Sequence, residues 1–288
     1  MIRFSKYIWV YFLISSLVLV PGIFSLVIHG LKQSIDFTGG TLLEVRVPPG
    51  SNELTIETQI KEASVSAESI VKSENQTYLV RFKPFSEPLV NLVAEKLASI
   101  SGQKAEVLRS ETVGPVIGKE LLSKALGAAL LSVIAILLYV AYAFKNIKFG
   151  ISAILALFHD LLIVLSVFSL VGVEVDTLFV TAFLTTMSFS VHDTIVVFDR
   201  IRELVKRGER ISFEEVCDKA LTETMGRSLT NSMTIIFMLL ALVLLGGGNI
   251  RWFVMALIVG TVSGTYSSPF IATPILILWD RWEKRKKK

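Results

Sequence analysis

The sequence predicts a polytopic α-helical membrane protein: six transmembrane helices, with one extracytoplasmic α+β domain between the first and the second. Three observations lead there. The chain is 52% apolar over 288 residues, a share that a soluble protein of this length rarely gathers into long runs. Its apolar residues fall into six runs, near 7–28, 124–144, 149–171, 176–198, 228–246 and 252–279, and about 20 mostly apolar residues cross a bilayer as a helix. A polar segment, 29–123, separates the first run from the other five.

The first run follows a basic start (Arg3, Lys6). It is too long for the apolar part of a signal peptide and no small-x-small cleavage site follows, so it is expected to stay as the first span. Orientation follows from lysine and arginine in the short connections. Lys145 and Lys148, the seven basic residues of 199–227 and the tail "RWEKRKKK" all fall on the side of the N-terminus, whereas 172–175 has no basic residue and 246–251 only Arg251. Both termini are expected in the cytoplasm and 29–123 outside. The expected organisation is 1–28 (N-terminus and first span), 29–123 (outside domain), 124–198 (second to fourth spans), 199–226 (cytoplasmic connector) and 227–288 (fifth and sixth spans and tail).

Within the outside domain, "IDFTGGTLLEVRV" (35–47) reads as a strand with a Gly-Gly interruption. A helix is expected over 52–63 and two strands over 68–82, with a turn at 73–76. Next come an amphipathic helix over 86–100 and a last strand over 103–113. The order β-α-β-β-α-β is the ferredoxin-like pattern, with one sheet face under helices and one open. "GPVIGKELL" (114–122) imitates a phosphate loop, but it has three residues between the glycines and Glu120 after Lys119. A nucleotide loop needs four, then Ser or Thr. No nucleotide, metal or other cofactor is expected; the single cysteine, Cys217, also excludes an internal disulfide. The net charge of +4 reflects the cytoplasmic loops; the basic tail reads as an anchor at anionic lipid and not as a nucleic-acid patch.

The functional signal is charge at bilayer depth, which costs roughly 2.5–3.5 kcal/mol per residue on insertion scales. His159 and Asp160 lie about eleven residues into the third run, roughly 16 Å along a helix and so near the bilayer middle. His192 and Asp193 lie toward the cytoplasmic half of the fourth, and Arg227 opens the fifth. Thr186, Ser190 and Asp193 form one helical stripe; Arg227, Thr230, Asn231 and Thr234 form another. Lipid satisfies neither, so both are expected to face other helices or water. Burial favours the protonated carboxyl and a nearby guanidinium the carboxylate; an Asp193–Arg227 pair is therefore a proton-operated latch. The plain alternative is that the stripes are packing glue, as Thr261, Thr265 and Ser268 of the sixth run are read beside Gly260-x-x-x-Gly264. His159 has two readings, a satisfied core histidine or a relay member. Aspartyl proteolysis by Asp160 and Asp193 is disfavoured, because neither sits in an opened, Gly-rich helix. Phe213, Val216, Cys217, Ala220 and Leu221 give the connector one apolar face, for lipid or for another subunit.

"IDFTGGT" (35–41), "GPVIGKEL" (114–121), "FHD" (158–160), "SVHDTIVVFDRIRE" (190–203) and "GTYSSPFIATP" (264–274) together resemble the SecF family of protein-export membrane subunits. The resemblance covers nearly the whole chain. It implies half of an RND-superfamily transporter, a non-enzymatic subunit in the bacterial or archaeal plasma (inner) membrane. Its partners would be SecD, the SecY-containing translocon, a translocating preprotein and membrane lipid, with no nucleic acid. It implies use of the proton-motive force for late, ATP-independent preprotein movement, with Asp193 the proton carrier and Arg227 its partner. Two departures stand out: His192 where the family pattern has Asn, and "TETMGR" before the arginine where Asn-Gln-Thr is expected. A small-molecule or lipid exporter of the same superfamily and a passive translocon scaffold are the alternative functions.

Overall fold

The computed structural model describes residues 3–48, 53–62, 65–72, 76–83, 93, 95, 106–144, 146–208 and 211–286. The chain divides into two compact units, Met1–Lys32 with Gly127–Lys288, and Gln33–Leu126. Six helices are long and apolar enough to cross a membrane: Phe4–Ile28, Pro115–Phe144, Ile147–Val171, Thr177–Lys206, Phe213–Leu245 and Ile250–Lys286, here the first to sixth spans. They are longer than the apolar runs at several ends because polar residues continue each helix past its hydrophobic stretch.

Local chemistry sets the helix ends. Asn146 and Asp176 cap the third and fourth spans by accepting from Lys148 N and Phe179 N. Gly172 ends the third in the left-handed region, φ 71°, where a Cβ would be strained. Ser212 and Glu215 form a reciprocal capping box at the start of the fifth. Burial then sorts the spans. In their most apolar stretches the third, fourth and sixth are 50%, 44% and 61% buried, against 17%, 6% and 11% for the first, second and fifth. The inner three therefore carry the membrane unit's core, and the outer three present apolar faces suited to lipid or to another protein.

The connector departs from expectation. Among the described residues no separate interfacial helix occupies 199–226. The fourth span runs on to Lys206 and the fifth begins at Phe213. Val216, Cys217, Ala220 and Leu221 are almost wholly buried in one cluster with Phe4, Ile8, Phe198, Ile201, Leu204 and Leu276, and Phe213 packs against it. The apolar face is thus covered by this chain's own helices and does not rest on lipid. Polar clasps hold the same end. Asp218, 2% exposed, accepts from Ser5 N and Ser5 Oγ at 2.8 and 2.7 Å, and Arg281 makes a two-pronged pair with Glu214 at 2.7 and 2.8 Å. Lys145 and Arg210 lie outside the described residues.

In the second unit a four-stranded antiparallel sheet runs in the order Ala67–Lys72, Thr77–Phe82, Gly40–Arg46, Glu106–Val113. Leu43 pairs with Val80 and Val45 with Tyr78; with Phe82, and with Ile56 and Ile60 of helix Glu53–Glu62, they form its core. Burying such a side chain stabilises the fold by about 1.5–3 kcal/mol. The expected helix over 86–100 lies outside the described residues apart from Val93 and Glu95, both helical. So does most of the 73–76 turn, of which Gln76 is described, with φ 58°.

The segment 35–47 is not a single interrupted strand. Ser34 caps a one-turn helix, Ile35–Thr38, and the strand starts only at Gly40. Gly39 and Gly40 have φ of 74° and 145°. A Cβ on Gly39 would stand 2.8 Å from Pro115 Cα, and one on Gly40 2.9 Å from the Phe82 carbonyl oxygen. The glycine pair is a steric requirement of that turn.

Candidate functional site

Two buried carboxylates organise the polar interior of the membrane unit. Asp160, on the third span, is 4% exposed and collects donors from three elements. Its Oδ2 accepts from Ser190 Oγ of the fourth span at 2.5 Å and from Ser267 Oγ of the sixth at 2.6 Å. Its Oδ1 accepts from Ser263 Oγ at 2.5 Å and lies 3.0 Å from His159 Nδ1. An ionised carboxylate offers about four acceptor positions, and all four have partners here. The other ring nitrogen, His159 Nε2, lies 3.0 Å from Ser15 Oγ of the first span. Beside this centre the sixth span loosens into a π-helical turn, Ser268–Ala272, where Thr273 Oγ1 donates to Ser268 O at 3.1 Å. Ser268 Oγ sits 2.9 Å from Thr194 Oγ1.

Asp193, one turn beyond Ser190 on the fourth span, is 8% exposed. Its Oδ2 accepts from Ser228 Oγ of the fifth span at 2.7 Å. It lines a small cavity of about 20 Å³ with Phe189, His192, Asn231, Ser232, Ile235, Thr261, Gly264 and Thr265. A cavity of that size holds about one water. Thr261 is 3% exposed, and among the described residues its Oγ1 has no hydrogen-bond partner. The cavity is narrow and mostly apolar in its walls, with Asp193, His192, Asn231 and the threonines as its polar groups, enough partners to hold one water.

Close packing brings these elements together. A Cβ on Gly260 would lie 2.1 Å from Thr186 Cγ2, and one on Gly264 3.1 Å from Ser190 Cα. The two glycines thus seat the sixth span directly on the stripe that carries Thr186, Ser190 and Asp193.

The expected Asp193–Arg227 pair is not formed in this structure. Arg227 is exposed, and among the described residues no ion pair or hydrogen bond joins it to Asp193. Successive helical residues point about 100° apart, so with Ser228 turned to the fourth span its neighbour points away. Thr230 and Thr234 are also exposed and donate to their own helix, to Gly226 O and Thr230 O at 2.9 Å each. Asn231 lines the cavity, and Thr186 donates to Phe183 O. Ser190 faces Asp160, not Asp193. Thr265 behaves as interhelical glue, 2.7 Å from Ser232 Oγ. Ser15, Ser228, Ser263 and Ser267 were not singled out by spacing. Ser263 and Ser267 stand four apart on a face offset from the Thr261–Thr265–Ser268 stripe, a signal the sequence does contain.

This fold and interior define a class: a six-span α-helical membrane protein with a polar, carboxylate-bearing core and one α+β unit between its first two spans. Comparison with known proteins makes the class specific. The family described as protein export membrane protein SecD/SecF, C-terminal, matches residues 93–282, and the SecD/SecF GG motif matches 24–47. The protein translocase subunit SecF of Anaerolinea thermophila is 37% identical over 96% of this chain and 94% of its own length, and that of Thermobaculum terrenum 37% identical over 97% and 94%. A crystal structure of SecDF, a translocon-associated membrane protein from Thermus thermophilus, superposes with a TM-score of 0.89 at 34% identity over 97% of this chain. A SecDF structure in a super-membrane-facing form gives 0.70 over 98%. This chain spans 39% of the length of those SecDF chains. The chain belongs to the SecD/SecF protein-export family, on its SecF side.

Proposed function

We propose that this chain is an accessory subunit of the Sec export machinery that works with a SecD-type partner and uses the proton-motive force to promote late movement of preproteins. Asp193 is the proton carrier. The single observation that carries the reading is a buried carboxylate on a water-sized cavity beside an unpartnered hydroxyl, at a depth where lipid supplies no hydrogen bonds. One oxygen of Asp193 is held by Ser228 and the group borders a space for water, so it can gain and lose a proton without dismantling the core. His192, also on the cavity, stands one position nearer the outer side than Asp193 and is the neighbouring proton-accepting group through which a proton reaches it. Arg227 belongs to the pose in which Asp193 is ionised, reached by a rotation of the fifth span about its axis. Moving one charge across 100 mV supplies about 2.3 kcal/mol, enough to shift a two-state equilibrium more than tenfold.

The strand order of the second unit and its helix Glu53–Glu62 support a ferredoxin-like domain on the outer side. Its open sheet face is the surface offered to a preprotein or to the SecY channel. The little-buried second and fifth spans supply apolar surface for the SecD-type half and for lipid. The test is Asp193→Asn in membranes carrying the assembled complex. Export is expected to lose its response to the proton gradient while assembly persists. Full response by that variant rejects the proton role and favours a passive scaffold.

A further inference from the structure

We infer that a change of tautomer at His159 couples protonation of Asp160 to Ser15 of the first span, and that this coupling makes the first span the moving part of the relay. The inference rests on the proton-relay reading and adds the element that responds. Asp160 has donors at all four acceptor positions, three of them serine hydroxyls and the fourth His159 Nδ1. With the carboxylate ionised, Nδ1 keeps its hydrogen and Nε2 is the acceptor for the Ser15 hydroxyl. When a proton reaches Nε2, the Nδ1 hydrogen passes to Asp160 Oδ1. The products are a neutral carboxyl donating to Nδ1 and an Nε2–H donating to Ser15 Oγ. One proton, supplied by the gradient, has entered; the Nε2–H and Oδ1–H bonds have formed and the Nδ1–H bond has broken. The histidine ends neutral, as it began, in its other tautomer.

The consequence falls on Ser15. Its hydroxyl changes from donor to acceptor and its own hydrogen needs a new partner. The acceptors at hand are the Tyr266 hydroxyl, which already contacts Ser15, and the carbonyl four residues back, Tyr11 O, which accepts from Tyr266 Oη at 2.7 Å. The first span is thereby coupled to the centre at two points, Ser15 and Tyr11. Its cytoplasmic-side start is anchored by Phe4 and Ile8 in the core and by Ser5 on Asp218, whereas its apolar stretch is only 17% buried. Two of its close approaches to the third span lie on the same face: Gly22, whose Cβ would fall 2.2 Å from Ser166 Cβ, and Ser25 Oγ, 3.0 Å from Ser169 Oγ. The span ends at Ile28, five residues before the second unit begins at Gln33, so a shift of the span is delivered to that unit through the chain itself. Among the described residues the titratable group that faces the His159–Asp160 pair is Tyr266 on the sixth span; the Tyr11 ring of the first packs on Phe270, and Asp193 stands one turn beyond Ser190 on the fourth.

Spin labels at the exposed Val27 and Val171, near the paired Ser25 and Ser169, report first-to-third-span separation in proteoliposomes of the full chain. Difference infrared spectra of the same samples report the Asp160 carboxyl, assigned by its loss in Asp160→Asn. The expected result is a separation that changes with pH in step with the carboxyl band. Ser15→Ala should abolish the change in separation and keep the band, and Ser15→Thr should restore the change. An unaltered spin-label response in Ser15→Ala, or a carboxyl band that does not titrate, overturns the inference. Asp193→Asn separates the two ideas. Normal proton-driven export by that variant removes the relay reading, whereas loss of export together with an unaltered response in Ser15→Ala removes only the role of His159.

Discussion

The two intramembrane aspartates stand one helical turn apart through Ser190, yet their surroundings are opposite in kind. Asp160 is enclosed, with every acceptor position filled by groups from the third, fourth and sixth spans. Asp193 holds one serine and borders a cavity with an orphaned threonine. The contrast teaches that depth in a membrane does not itself set how a carboxylate works; the number of unfilled positions around it does. A saturated group fixes geometry and changes state only by reorganising its shell. A half-satisfied one beside water exchanges protons with little rearrangement.

The sharpest way to break this comparison is Asp160→Leu. It strands three serine hydroxyls and His159, and removing one side of such a buried charged cluster costs about 3–5 kcal/mol. The prediction is failure to accumulate folded protein, read by detergent thermal unfolding; Asp193→Leu should lose much less. Next is Gly260→Val, whose side chain would enter Thr186 and push the fourth and sixth spans apart. Overpacking of this kind costs about 1–3 kcal/mol, and the unfolding midpoint should fall with export activity. Thr261→Val replaces an unpartnered buried hydroxyl by an isosteric methyl. It should leave stability unchanged or raise it by up to about 1 kcal/mol, while slowing proton-coupled export because the cavity loses a water partner; unchanged export would show that the cavity is inert. The smallest stability effect belongs to Arg227→Gln, on an exposed side chain, expected within about 0.5 kcal/mol. Its export defect, measured against that of Asp193→Asn, tells whether the arginine acts in another pose of the fifth span.

Much of the architecture was legible because it rests on periodicity and length. The six spans needed only apolar runs, and strands at Leu43–Val45 and Val80–Phe82 followed from alternation, whereas their order in the sheet is set by pairing. What escaped was set by rotation about helix axes. A stripe starting at Arg227 looks as good on paper as one starting at Ser228, since both repeat every three to four residues, and only the neighbouring helix chooses between them. The apolar face from Phe213 to Leu221 was visible, but its cover was not, because a lipid surface and the chain's own Phe4, Phe198 and Leu276 are equally apolar. The Asp160 shell was half visible. Ser190 lay on a marked stripe, whereas Ser15 lies 144 positions from His159, a contact that no local pattern records. Gly39 and Gly40 were seen as an interruption of a strand; the close approach of Pro115 to that turn is a tertiary fact.

The central claim is tested most directly by following protein export in inverted membrane vesicles as the proton gradient is imposed and collapsed, with the chain bearing Asp or Asn at position 193. The account predicts that export by the Asp193→Asn complex no longer changes between the two conditions, at undiminished levels of assembled protein. A gradient response equal to that of the unaltered complex would contradict it.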